Sequence, residues 1–103
     1  AHLNPSIEYP RAEVIVFARQ CEKAIDVYAL SAREAEVLSL LVRGRSVPHI
    51  AERLYIARST VKTHITRIYQ KIGVESRQEM IDAIESLDVS VVDAGEDIES
   101  RVD

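Results

Sequence analysis

Apolar residues recur along this chain at spacings of three and four, the period of helices with one buried face. Between Glu13 and Tyr28 they are Val14, Phe17, Ala18, Cys21, Ile25 and Tyr28. Between Glu34 and Arg43 they are Ala35, Val37, Leu38, Leu41 and Val42. Ile50, Ala51 and Leu54 share one face of a short segment, and Val61, Ile65, Ile68 and Ile72 share one face of a longer one. Met80, Ile81, Ile84 and Leu87 mark a last stripe. With only three Gly and three Pro, and few alternating β-branched runs, the pattern predicts an all-α fold.

The ends of these segments carry their own signals. Ser31-Ala32-Arg33-Glu34 is a capping box, in which the Ser31 hydroxyl and the Glu34 carboxylate can each accept a backbone N–H. Gly44 stops that helix by taking the left-handed conformation. Ser46 can cap the next helix, with Pro48 in its first turn, where a missing N–H costs little. Gly73 ends the helix from Arg58 to Ile72, and Ser76-Arg77-Gln78-Glu79 reads as a second capping box, opening a helix to about Leu87. Residues 1 to 12, with Asn4, Pro5 and Pro10, read as a loop. The acidic tail from Asp88 holds six acids and one base and reads as mobile.

Between Leu54 and Arg58 there is room only for the turn Tyr55-Ile56-Ala57. Two short helices joined in this way form a helix-turn-helix unit. The second helix carries Arg58, Lys62, Arg67 and Lys71 and no Asp or Glu. One side apolar and the other only positive suits the DNA major groove. The chain as a whole is acidic, at −4, but Ser31 to Arg77 holds nine bases against four acids, a local balance of +5. A basic block between acidic flanks marks a functional surface.

Other chemistry finds little support. The single cysteine, Cys21, lies on an apolar stripe and reads as a packing residue; it allows neither a disulfide framework nor a Cys/His metal cluster, and it points to a reducing compartment. There is no Ser/His/Asp or Cys/His grouping and no phosphate-binding Gly loop, so an enzyme is not expected and no cofactor is implied. No apolar segment reaches the ~20 residues that span a bilayer. The first residue is Ala, which points to a processed start or an excised fragment. At 103 residues the chain is sized for one domain.

From Leu30 to about Ile84 the chain resembles the C-terminal DNA-binding domain of the LuxR/GerE type. The resemblance rests on the opening LSAREAEVLSLL, the Gly44 turn, HIAERL, STVKTH and the closing RIYQKIGVESRQE, in order. It implies a four-helix helix-turn-helix domain over residues 30–88, with an additional N-terminal helix and loop in 1–29 and a tail in 89–103. It also implies a cytoplasmic output domain of a bacterial transcription regulator that binds double-stranded DNA as a homodimer and acts with RNA polymerase. The upstream sensory domain usual in the family is absent from this chain, and some members are membrane-tethered.

Periodicity and resemblance together place Lys62, Thr63 and Thr66 at base edges. Lys62 can donate to guanine; the Thr methyls can touch thymine methyls, and their hydroxyls can bond either base type. Arg58, Ser59, Thr60, Arg67 and Lys71 flank this arc and are expected to hold phosphates, as is Arg77 at the next helix start. Ile81, Ala83 and Ile84 are the expected dimerisation surface. His64 reads as a partly buried, satisfied histidine. Two departures from the family pattern stand out. Ala57 occupies an N-cap position where Ser or Thr is usual, and Tyr55 a turn position that often takes Gly. With the overall acidity, the missing cap leaves a competing expectation: a helical protein-interaction module that keeps the fold without DNA binding.

Overall fold

The computed structural model describes residues 11–89. The expectations of a leading loop and of an acidic tail fall almost wholly outside them. Five helices follow one another: α1 (Ala12–Val27), α2 (Ala32–Leu41), α3 (Val47–Leu54), α4 (Arg58–Ile72) and α5 (Arg77–Glu85). Among the described residues there is no strand. The helix-turn-helix pair is α3 and α4, and α4 runs from Arg58 to Ile72, as the turn before it and Gly73 after it predict.

The caps explain most of the boundaries. Ser31 Oγ accepts from Glu34 N–H at 3.1 Å, and Glu34 Oε1 accepts from Ser31 N–H at 2.9 Å, so the first capping box is complete. The box expected at Ser76 is half formed. Ser76 Oγ accepts from Glu79 N–H at 3.2 Å, but the Glu79 carboxylate accepts from Glu75 N–H instead. Ser76 lies at φ −144° against −71° for Ser31, which swings its own N–H out of that reach. α2 ends short of Arg43, because Arg43 and Gly44 N–H bond carbonyls three residues back and tighten the last turn. Gly44, at φ 79°, then reverses the chain.

The core lies between α2, α3, α4 and α5. Val37, Leu38, Leu41, Ile50, Val61, Ile68, Met80 and Ile84 are fully buried there. α4 packs on α2 and α3, and α1 packs on α5. The α1 contact has a polar anchor: buried Gln20 donates Nε2 to the carbonyls of Glu85 at 2.8 Å and Leu87 at 3.1 Å. Lys23 donates to the Asp88 carbonyl beside it. Cys21 is half-buried on α1, and burial, aided by the Glu22 charge, pushes its thiol pKa up to about 11. It stays protonated at neutral pH and packs as expected.

One charged contact fixes the far end of α4. Lys71 Nζ lies 2.6 Å from Glu34 Oε1, and the Glu34 side chain is 4% exposed. The same ammonium donates to the Ala29 carbonyl at 3.1 Å. Ala29 itself is left-handed, at φ 54°, a strained position for a residue with a Cβ. Lys71 therefore joins the α1–α2 link, the start of α2 and the end of α4. The Lys71 hydrogen bond holds the Glu34 carboxyl below its ordinary range, against burial, with help from the Ser31 N–H.

At the other end of α4 the fold is less well secured. Tyr55 is left-handed, at φ 56° and ψ 46°, and 94% exposed. Ala57 stands at the N-cap and supplies no side-chain hydrogen bond. Ala57→Ser is expected to stabilise the domain by ~0.5–2 kcal/mol in thermal denaturation and to slow amide exchange at Ser59 and Thr60. No change in either would move the helix start away from Arg58.

Glu34→Gln is expected to cost about 1–3 kcal/mol at neutral pH, since it leaves an ammonium facing a neutral amide in a buried pocket. The pair also sets an acid limb. Glu34 titrates lower in the folded chain than in the unfolded one, so its contribution is full above the ordinary value of 4.5 and is lost as pH falls through the folded value. Denaturation of both forms from pH 7 down to about 2 checks this; the wild type should lose its advantage over Glu34→Gln across that range.

Candidate nucleic-acid interface

Helix α4 divides cleanly into two sides. Val61 and Ile68 are fully buried, and His64, Ile65, Tyr69 and Ile72 are half-buried. Arg58, Ser59, Thr60, Lys62, Thr63, Thr66, Arg67 and Gln70 are exposed. Ser59, Lys62, Thr66 and Gln70 run along the exposed side at helical spacing, with Thr63 and Arg67 beside them. No acid stands on this helix. The exposed side is thus a convex, positively charged ridge of the width of one helix, the shape that a major groove admits.

The two threonines are already engaged within the helix. Thr63 Oγ1 donates to the Ser59 carbonyl at 3.1 Å, and Thr66 Oγ1 donates to the Lys62 carbonyl at 3.0 Å. Such back-bonding fixes the rotamer and uses the hydroxyl proton. What remains for an outside partner is the methyl group and the oxygen's spare lone pair. Lys62 is left as the strong donor at the centre of the arc, and Arg67 as the charge on its edge.

Three of the expected site residues sit differently from the sequence reading. Lys71 is exposed in part, but its ammonium is held by Glu34 and Ala29, which favours positioning α4 over holding a phosphate. The cause is Glu34, whose buried carboxylate needs a cation. Ile84 is fully buried against the core, so it offers nothing to a second chain; this corrects its expected place in a dimer surface. Ile81 and Ala83 are half-buried. Arg77 is half-buried as well, and its Nη2 donates to the Arg45 carbonyl at 3.0 Å, tying α5 to the loop after α2. Its guanidinium keeps further donors for an anion.

Sequence reasoning missed the Glu34–Lys71 pair, though a signal was present. Glu34 precedes Leu38 and Leu41 by four and seven residues, so it lies on the buried stripe of α2 and needs a partner there. Gln20 was missed for the same reason; it lies on α1 between Phe17 and Ala24. His64 is half-buried, but its Nδ1 is enclosed without a hydrogen-bond partner, which departs from the satisfied histidine expected. His49 is exposed on α3, where it borders a shallow depression of about 420 Å³ with Glu52, Arg53 and Tyr55. Among the described residues no His, Cys, Asp and Glu gather as metal ligands would, and no helix is long and apolar enough to cross a membrane.

The sequence of this region is similar to known proteins. Residues 28–84 match the family described as bacterial regulatory proteins, luxR family. The probable transcriptional regulatory protein NarL of Mycobacterium tuberculosis is 40% identical over 88 residues, covering 65% of this chain and 41% of that protein. The HTH-type transcriptional regulator MalT of Yersinia pestis is 41% identical over 68 residues, covering 66% of this chain and 8% of that protein. The chain therefore spans less than half the length of these relatives. No solved structure matches it. The match begins at Tyr28, so α1 precedes it and α2 to α5 fill it. With the helix-turn-helix geometry, the acid-free exposed side of α4 and a match over more than half of its length, this chain belongs to the luxR family, whose members are DNA-binding transcription regulators and not enzymes.

Proposed function

We propose that this domain reads specific sequences in double-stranded DNA, with α4 lying in the major groove, as the output unit of a transcription regulator. The observation that carries this is the exposed side of α4, acid-free from Arg58 to Gln70 and held at its far end by Glu34. Lys62, Thr63 and Thr66 stand at its centre and face base edges. Arg58, Ser59, Thr60 and Arg67 flank them and take phosphates, with Arg77 adding a further donor from α5. Phosphate contacts set the register, and the central three supply sequence preference.

The chemistry of the central three is unequal. Lys62 donates to guanine O6 or N7. Thr63 and Thr66, with their hydroxyl protons bonded inside the helix, meet the groove chiefly through methyl groups. The base-pair feature that matches a methyl is the C5-methyl of thymine. The preferred site then combines a guanine with neighbouring thymines.

Affinity for duplex DNA is expected to fall steeply with salt, each neutralised phosphate contributing about −0.9 to the slope of log K against log salt. Titration of a labelled duplex at several salt concentrations measures it; no binding at low salt would favour a protein-interaction module. Lys62→Ala should cost roughly 1–3 kcal/mol and relax preference at particular base pairs. Arg67→Ala should weaken all sequences alike and make the slope shallower. A uniform loss for both would show that the two faces of α4 are wrongly divided.

The methyl contacts have a separate check once a preferred site has been selected from a random pool. Replacing its thymines by deoxyuridine should weaken the wild type but leave a Thr63→Ser, Thr66→Ser variant unmoved. Thr→Val at both positions should retain the discrimination. Equal sensitivity of the Ser variant to deoxyuridine would contradict methyl readout while leaving groove binding standing.

A further inference from the structure

The imidazole of His64 sits edge-in on α4. Its Nδ1 is enclosed in the protein and makes no hydrogen bond among the described residues. The residue as a whole is only half-buried, and Nε2 is neither enclosed nor bonded within the described chain. An enclosed nitrogen with nothing to bond is a cost that an apolar side chain of similar size avoids. Packing alone therefore gives no reason for a histidine here. The outer nitrogen does.

The neutral ring carries one proton, on one nitrogen or the other. On Nδ1 it would be a buried donor facing no acceptor, and Nε2 would turn an acceptor outward. On Nε2 it leaves only a bare lone pair inside and points a donor out of the protein. Orphaned buried N–H groups are rarer in proteins than orphaned acceptors, which favours the second form. A hydrogen bond made by one ring nitrogen usually sets the state of the other. At His64 the enclosure of Nδ1 without an acceptor sets it instead.

The place of that donor follows from the helix. His64 comes four residues after Thr60 and three before Arg67, so the three share one flank of α4. Thr60 and Arg67 are exposed, and both are assigned phosphates above. Lys71, next along the flank, has its ammonium taken by Glu34 and Ala29. We infer that His64 is a further contact to the DNA backbone, a neutral donor whose Nε2–H bonds a phosphate oxygen between those met by Thr60 and Arg67. This rests on the DNA-binding reading and adds a second kind of phosphate contact to it. An uncharged donor neutralises no phosphate, so it adds affinity without adding to the salt dependence. A phosphate contact carries no sequence information, so it sets register and not preference.

Duplex titrations of the 103-residue chain test this, with thermal denaturation of each variant beside them. His64→Leu removes the enclosed nitrogen and the outer donor together. It should leave the chain at least as stable as the wild type and still weaken binding about tenfold, the loss of one hydrogen bond to a charged group. All duplexes should lose alike, and the slope of log K against log salt should stay that of the wild type, unlike Arg67→Ala. His64→Gln, whose amide N–H reaches the place of Nε2, should recover most of the affinity. His64→Asn, whose amide reaches only as far as Nδ1, should not. Nitrogen NMR of the ring should find the proton on Nε2 in the free chain, and Nε2 should shift more than Nδ1 when duplex is added. A folded His64→Leu that binds as the wild type does would overturn the inference, as would Gln and Asn variants that bind alike, or a proton on Nδ1. In each of these cases a loss in Lys62→Ala would keep the groove reading standing. A wild type that binds no duplex at low salt overturns both.

Discussion

The Glu34 carboxylate, buried at the start of α2 and held by the Lys71 ammonium, is the contact on which the placement of α4 depends. A buried carboxylate without a cation is costly, so the sequence binds itself to bringing Lys71 to that spot. Lys71 is the penultimate residue of α4, and its ammonium also takes the Ala29 carbonyl. The end of α4 is thereby joined at one nitrogen to the stretch that runs from the α1–α2 link into α2. The apolar side of α4, through Val61 and Ile68, sets its depth in the core, but apolar packing is non-directional. The apolar stripe decides which side of α4 turns inward; the charged contact fixes where its far end sits against the start of α2.

The two ends of α4 are treated differently, and the difference has a functional sense. The far end has Gly73 in the left-handed conformation and the Lys71 contact. The near end has an uncapped Ala57 after a left-handed Tyr55. In the proposed complex a phosphate would satisfy its first N–H groups as a cap does. The far end of α4 is thus tied to the core, while the near end has no side-chain cap of its own.

Most of the fold could be read from local signals, because its elements are short and each is bounded by its own chemistry. Ser31 with Glu34, Gly44, Ser46 with Pro48, and Gly73 each act within a few residues of themselves, and the short turn before α4 with Gly73 after it marked its bounds. What could not be read was contact between segments far apart. Lys71 belongs by sequence to a basic helix, and only the fold shows that its charge is taken by Glu34. Ile84 belongs to an apolar stripe that one helix could show to a partner, and only the packing of α5 on α1 and α4 shows that it points inward. Gln20 was hidden among apolar neighbours on α1. The exposed arc of Lys62, Thr63, Thr66 and Arg67 was legible because exposure there follows from period alone; the inward turn of the two threonine hydroxyls was not.

The chain also distributes charge by role. The basic residues cluster from Ser31 to Arg77, and α4 holds no acid, while the flanks carry the acids that make the whole negative. Repulsion between acidic flanks and phosphate would keep them off DNA and leave α4 as the approach. The central claim is that the exposed side of α4 is the part that meets DNA. Backbone amide chemical shifts, followed as a short duplex is added at low salt, test it most directly. The account predicts saturable shifts from Arg58 through Arg67, reversed by salt, with the amides of α1 unmoved. Shifts confined to α1 or α5, with α4 silent, would contradict it.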